Sequence, residues 1–347
     1  MPRALTVYLS VLNWNKAATT LGCVEQLLGL EIPPGVSTRI FVVDNGSRAD
    51  DWEALSQGLR DRAIVLTRQE TNLGFAGGHN LILSKAMEDG ADYVWLVNND
   101  GRPAPDALAQ LIAVAESDPS CGAVSPLITA LDDWSRVEFC GGYHDWGRLA
   151  TVTFDFGRDG DAFERADPRS TWLSGAAFML RTQAVREVGP LDPDYFAYSE
   201  DNDLCARLAT AGWRNRIAFG ARFQHETPDS RHPYFYYLMA RNSFFFWTRH
   251  TPKGQRRLLR LRLIDKGLFA SALRLSRGLR DGADATLLGI SDGLLGRGGP
   301  PRLGRRPPWP LRMLRGALWP YHRRHIRDSQ PDLDWREKLR DSEARPD

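Results

Sequence analysis

The side chains with most chemistry to offer stand in three places: the triplet Asn98, Asn99 and Asp100; the cluster Glu200, Asp201 and Asp203; and His225 in "FQHE". A carboxylate such as Asp100 can hold a hard divalent cation, which takes oxygen ligands and is commonly shared between one or two carboxylates and substrate phosphates. Three acids within four residues repel one another. A cation relieves that repulsion, and a group acting as general base tolerates it. Each feature alone has a simpler account: a turn for the triplet, helix capping for the acids, and a structural role for a lone histidine.

Two more stretches carry weaker signals. Asp44 ends the apolar run "RIFVVD", where a carboxylate can accept hydrogen bonds from a base or ribose, or simply make a turn. In "NLGFAGGHN", Gly74, Gly77 and Gly78 permit close backbone approach ahead of a helix N-terminus, which favours anions. The spacing is not the GxGxxG of dinucleotide enzymes.

The elements that must position these groups alternate. The β-type runs "LTVYLSVL", "RIFVVD", "AIVLT", "YVWLV" and "GAVSPLI" are separated by helix-length segments at 17–30, 51–59, 76–89 and 105–116. Strands apolar on both faces with helices between them imply an α/β fold with a mainly parallel sheet covered on both sides. Ligands of such sheets bind outside the carboxyl ends of the strands. Those ends read "LNWN", "DNGS", "NNDG" and, after the third strand, "NLGFAGGHN", so four polar loops are expected on one edge. A second region, 134–250, is mixed and rich in aromatics; it contains the acidic cluster at the start of a helix, and a short strand "RIAF" before His225.

At 347 residues, 42% hydrophobic and 25% charged, the chain can bury a substantial core and is long enough for about two domains. Its start lacks the features of a signal peptide, and no run approaches the ~18 apolar residues that span a bilayer, so a cytoplasmic protein is expected. Cys23, Cys121, Cys140 and Cys205 are scattered without CxxC spacing and read as reduced core thiols. The net charge of +2 conceals an asymmetry: 253–327 holds 18 basic residues against 4 acidic. Within it, Leu261, Ile264, Leu268, Ala272, Leu275 and Leu279 recur at helical spacing, and a Gly/Pro/Arg linker follows from Gly296. The last dozen residues are expected to be frayed.

Together these motifs resemble the inverting glycosyltransferases of family 2, with the GT-A fold, and among them the rhamnosyltransferase-like group that builds bacterial surface polysaccharides. The resemblance rests on "VVDNGS", "NLGFAGGHN", "VWLVNNDG", "WLSGAAFMLR", "GPLDPDYFAYSEDNDLCARLATAGW", His225 and "YYLMARN", in family order. It implies a nucleotide-sugar-binding half at 1–133 and an acceptor half at 134–250. A basic helical region at 251–295 and a linker with C-terminal tail at 296–347 complete the organisation. By resemblance Asp44 contacts the nucleotide, Asn13 and Trp14 line the base pocket, and Asn72, His79 and Asn80 lie near the nucleotide and pyrophosphate. "NND" stands where the family has DxD: Asp100 becomes the metal ligand and Asn98 takes the first position, leaving one carboxylate in the motif. Asp201 matches the catalytic base, with Glu200 assisting. His225 matches a histidine that completes the metal shell in some relatives. Trp172, Ser174 and Gly175 face the acceptor; Arg241 and Asn242 match a helix whose role stays open.

The implied cofactor is Mg²⁺ or Mn²⁺. The implied donor is dTDP-L-rhamnose, with UDP-galactofuranose or another nucleotide hexose as substitutes, and the acceptor a glycan or polyprenyl-linked glycan. Two rival readings exist. A sugar-nucleotide pyrophosphorylase opens with a Gly-rich, Arg-containing loop, where this chain has "VLNWNKAATT"; a non-catalytic nucleotide-sugar-binding scaffold draws support from "NND" alone. The basic C-terminal region, with Trp309 and Trp319 among its arginines, suits the inner face of an anionic membrane. A solvated helical face and a homo-oligomer interface are the alternatives. Nucleic acid has the charge in its favour but no recognised module.

Overall fold

The computed structural model describes residues 4–157, 170–225 and 232–328. Two compact units form: Met1–Asp229 with Gly298–Pro300, and Ser230–Arg297 with Pro301–Asp347.

The first unit is built on one nine-stranded sheet. Strands β1 (Leu5–Asn13), β2 (Val36–Asp44), β3 (Ile64–Arg68) and β4 (Tyr93–Val97) alternate with helices α1 (Ala17–Leu28), α2 (Ala49–Gly58) and α3 (Gly74–Asp89). They pair in parallel in the order β3-β2-β1-β4. The short β5 (Gly101–Pro103) leads to α4 (Ala107–Ser117), then β6 (Cys121–Ala130) and β7 (Asp133–Phe139). Beyond β4 the order continues β10-β6-β11-β5, where β10 is Ala177–Arg181 and β11 is Arg214–His225, and β7 pairs with β6. The expected parallel arrangement holds through the first four strands and recurs between β6 and β11. Strand β10 inserts antiparallel between β4 and β6, which makes the whole sheet mixed.

Val94 to Val97 are wholly buried, as are Val7, Val11, Val42 and Val43 beside them, which is why these runs carry no polar face. A separate hairpin of β8 (Gly142–Asp145) and β9 (Ala150–Thr153) stands off the main sheet. Helices α5 (Thr182–Val188) and α6 (Glu200–Thr210) complete the unit. All four cysteines are buried and free, as expected. The halves expected on either side of residue 133 share the one sheet, and the strand expected only over "RIAF" is a twelve-residue element.

The second unit is helical: α7 (Pro233–Arg249), α8 (Arg256–Ser276), α9 (Arg280–Leu294) and α10 (Trp309–Asp328). Thus 233–249, expected in the acceptor half, groups with the C-terminal helices. There Asp292 is buried and accepts the Tyr237 hydroxyl at 2.5 Å. Of the stripe expected to be apolar, Leu268 and Ala272 are buried but Leu261 and Leu275 of α8 and Leu279 beyond its end are exposed, while Leu259, Leu263 and Leu273 outside the stripe are buried. The segment after the Gly/Pro/Arg linker is helix rather than tail, and the last dozen residues lie outside the described ones. No described helix is long and apolar enough to cross a membrane.

Candidate functional site

Sheet register assembles the polar tips. Asn13 lies beside Asp44, and Asp44 beside Arg68, at the ends of β1, β2 and β3. Val11 pairs with Val97, so the Asn98–Asp100 turn begins level with the end of β1. On the other flank Ala177 pairs with Val97, and the Asn98 N–H donates to the Ala176 carbonyl at 2.8 Å, bringing the loop through Trp172, Ser174 and Gly175 against the triplet. The β5–β11 ladder sets His225 opposite Gly101. Only glycine fits there, because a Cβ would fall 1.9 Å from the Phe223 ring.

This topology makes one corner of Asn98, Asp100 and His225. His225 Nε2 lies 2.9 Å from Asn98 Nδ2 and 3.2 Å from Asp100 Oδ1. With the amide as donor, the Nε2 lone pair accepts its N–H, a bond that a cation on Nε2 would replace. The buried Asp100 Oδ1 lies 3.2 Å from the imidazole, at ion-pair distance, and accepts no other hydrogen bond. Burial pushes the Asp100 carboxyl up, but the nearby His225 and Lys16 outweigh it and hold the group below its ordinary value. Asn99 does not face this corner; its amide donates to Thr20 Oγ1 at 2.9 Å, and that hydroxyl donates to Asn13 Oδ1 at 2.7 Å.

Asp201 sits in the first turn of α6 with both oxygens held. Oδ2 accepts the Gly175 N–H at 2.9 Å and lies 3.5 Å from Trp172 Nε1; Oδ1 accepts the Asn202 backbone N–H at 2.7 Å and Nδ2 at 2.9 Å. Asn202 is in turn fixed by His144 of the β8–β9 hairpin, whose Nε2 is 2.9 Å from Asn202 Oδ1. Neither Asn202 nor His144 carries a sequence signal of its own, since no motif links residue 144 to residue 202.

The other two acids of the cluster are explained by the chain itself. Asp203 is buried and paired with Arg207 at 2.8 Å. Glu200 is buried, and burial followed by the Asp201 charge pushes its carboxyl well above the ordinary value. The Arg207 guanidinium offsets the charge of Asp203, where a cation was one expected means of relieving the cluster's repulsion. Immediately before them Phe196, Tyr198 and Ser199 all have positive φ (65°, 67° and 72°), a strained run for non-glycine residues. Gly74, with φ of +75°, packs under it; a Cβ there would fall 2.3 Å from the Phe196 carbonyl oxygen.

Several residues expected at the nucleotide are committed elsewhere. Asp44 is fully buried, accepting from Asn13 Nδ2 at 2.9 Å and the Ser47 N–H at 3.3 Å, with Arg68 Nε at 3.5 Å. Asn13 is equally buried, and its Nδ2 also reaches Ser47 and Asp51. Asn72 Oδ1 receives the Gly74 N–H and the Asn45 amide. Asn80 clamps the Leu191 backbone through both amide atoms. His79 is buried, 2.8 Å from Ser10 Oγ through Nδ1, and desolvation pushes its imidazole down to about 3. These side chains are the frame of the edge, and among the expected base-pocket residues Trp14, half exposed, offers a free surface.

Among the described residues no group of three or more His, Cys, Asp or Glu side chains could enclose a metal. The Asp100–His225 corner nevertheless fits two neighbouring positions of a divalent ion. Adjacent ligands on an octahedral ion with bonds of ~2.1 Å stand about 3 Å apart, close to the observed spacing of the Asp100 carboxylate oxygen and the imidazole nitrogen. The remaining positions would fall to phosphate oxygens and water.

Comparison with known proteins gives the family and the fold. Residues 2–242 match the family described as "Glycosyltransferase like family 2". An N-acetylglucosaminyl-diphospho-decaprenol L-rhamnosyltransferase of Mycobacterium tuberculosis is 28% identical over 55% of this chain and 67% of its own length. Galactofuranosyltransferase GlfT1 of the same species is 38% identical over 54% of this chain and 60% of its own. The solved structure of a mannosyltransferase from Pyrobaculum calidifontis in complex with GDP-Man and Mn²⁺ superposes with a TM-score of 0.54 at 16% identity, covering 84% of this chain and 87% of that one.

Proposed function

The chain belongs to glycosyltransferase-like family 2 and is a glycosyltransferase with the GT-A fold, and from that premise we propose that it transfers a hexosyl unit with inversion from a nucleotide-diphosphate sugar. The acceptor in this reading is a glycan carried on a polyprenyl diphosphate, and the donor is dTDP-L-rhamnose ahead of UDP-galactofuranose. One Mycobacterium tuberculosis relative is named an L-rhamnosyltransferase and the other a galactofuranosyltransferase, so both donors belong in the test. The observation that carries the reading is the buried Asp100 oxygen beside His225 at the tip of β4, tied through Asn98 and Ala176 to the loop whose Gly175 holds Asp201.

In this mechanism Asp201 removes the proton from the acceptor hydroxyl. That oxygen attacks the anomeric carbon in line, and the bond to the diphosphate breaks with its electron pair leaving on the nucleoside diphosphate. Gly175 N–H and Asn202 hold the carboxylate in one orientation, and His144 holds Asn202, so the base is aimed before the substrate arrives. Asp100, His225 and Asn98 would hold Mg²⁺ or Mn²⁺, which when bound supplies charge stabilisation of the departing diphosphate. Trp172 and Ser174 line the acceptor side, and Trp14 meets the base.

Thermal-shift screening of a nucleotide-sugar panel with Mg²⁺ or Mn²⁺, followed by assay of nucleoside diphosphate release, tests the proposal. Stabilisation by one donor with slow metal-dependent hydrolysis is expected. Tight donor binding with no turnover on any acceptor and no hydrolysis would favour the scaffold reading.

A further inference from the structure

Helix α10 of the second unit presents exposed apolar side chains on one face. Helix α10 lies on α8 along one side. His322, 1% exposed, is 3.2 Å from Asp265 and edge-on to Phe269, while Arg315 reaches Ser271 at 3.1 Å and Asp284 at 3.7 Å. As the contacts advance along α10 they retreat along α8, so the two helices run antiparallel. The other side of α10 presents Trp309, Met313, Ala317 and Tyr321 at intervals of four residues, all exposed, with Trp309 at 73% and Met313 at 66%. Residues four apart share one helix face, so this is a continuous stripe. Exposed Arg312, Arg323 and Arg324 flank it, and no acidic residue occurs between Asp292 and Asp328.

The start of α8 shares the same character. Leu258 and Leu261, 66% and 58% exposed, stand two turns and one turn before Asp265 on the stripe that meets His322, among Arg257, Arg260 and Arg262. Exposed apolar side chains aligned along one helix face, as on α10, mark a surface that something covers.

We propose that this face of α10 lies in the plane of an anionic lipid surface, with Trp309, Met313 and Ala317 entering the interface and Arg312, Arg323 and Arg324 paired with lipid phosphates. Charge complementarity selects this occupant. A second copy would set arginines against arginines. Anionic headgroups answer them, and Trp suits the boundary between headgroup and acyl chain. Asp265 of α8 faces His322. The helix lies on such a surface and does not span it.

The test uses the full chain without donor or acceptor, so its outcome is independent of the transferase reading. Flotation is compared between phosphatidylcholine vesicles and vesicles that also contain phosphatidylglycerol. Flotation with the anionic vesicles only, falling with added salt and accompanied by a blue shift of tryptophan emission, is expected. The double variant Trp309→Ser, Met313→Ser should lower partitioning at least about tenfold. Arg323→Gln with Arg324→Gln should lower it roughly 30-fold. Circular dichroism and melting temperature of each variant confirm that the fold is kept. Equal flotation with neutral vesicles, no flotation, or a concentration-dependent dimer abolished by Met313→Arg would each overturn the proposal, the last in favour of a second copy.

Discussion

Asp201→Asn exchanges one carboxylate oxygen for an amide nitrogen and removes the only group aimed by the Gly175 loop. The native side chain accepts from Gly175 N on one oxygen and from the Asn202 N–H and Nδ2 on the other. Asparagine keeps the pair to Asn202 if its oxygen faces that side, and then sets its own N–H₂ against the Gly175 N–H. One charge-assisted hydrogen bond is lost, worth about 1.5–3 kcal/mol. In a unit of this size that corresponds to a fall in melting temperature of roughly 5–10 °C. The chemical loss is separate: general-base catalysis contributes about 10²- to 10⁴-fold, so turnover should fall by that factor while the donor, held at the Asn98–Asp100–His225 corner, still binds. Calorimetric titration with the nucleotide sugar and metal gives affinity; coupled release of nucleoside diphosphate gives kcat. A variant with unchanged affinity and a kcat within threefold of the parent, a margin of only about 0.7 kcal/mol in barrier, would refute the assignment of Asp201 as base.

Asp100→Ala should behave differently, losing metal-dependent donor affinity together with turnover; titration with and without Mn²⁺ checks it, and undiminished metal dependence would remove Asp100 from the metal site. Gly74→Ala meets both a positive φ and the Phe196 carbonyl oxygen at 2.3 Å, so thermal unfolding should report a loss of at least about 2 kcal/mol, with donor binding weakened as the Phe196–Ser199 run shifts. His79 gives a pH prediction. Its folded-state value of about 3 lies below its ordinary 6.5, so the unfolded chain binds the proton first on acidification. The stability that neutral His79 contributes is complete above pH 6.5 and falls by about 1.4 kcal/mol per pH unit towards pH 3. Chemical denaturation of the parent and of His79→Gln across that range should show a shallower slope in the variant by one proton; equal slopes would sink it.

How much of this was legible beforehand differs by element. The alternation of β1 to β4 with α1 to α3 was readable because strands buried on both faces must be continuously apolar, and "YVWLV" coincides with β4. The placement of polar loops at one edge followed from that parallel order. The antiparallel insertion of β10 was not readable, since "AFMLR" is as apolar as a parallel strand and nothing in it states its direction. The buried Leu259, Leu263 and Leu273 of α8 escaped for a related reason: leucines recur on more than one side of the helix, and only its neighbours decide which are covered.

The sequence by itself determined which residue types were present to do chemistry: a carboxylate and two amides at a strand tip, an acidic helix start, a histidine after a strand. Local composition sets chemistry because each side chain brings its own donors, acceptors and charge. Only the tertiary structure decided which of them act together. The β5–β11 ladder joins residues 100 and 225, and the Gly175 loop joins residues 98 and 201, while Asp203 and Asn80 are taken by Arg207 and Leu191. Whether a polar atom is free for a ligand depends on its satisfied partners in space, and those partners lie up to 127 residues away along the chain.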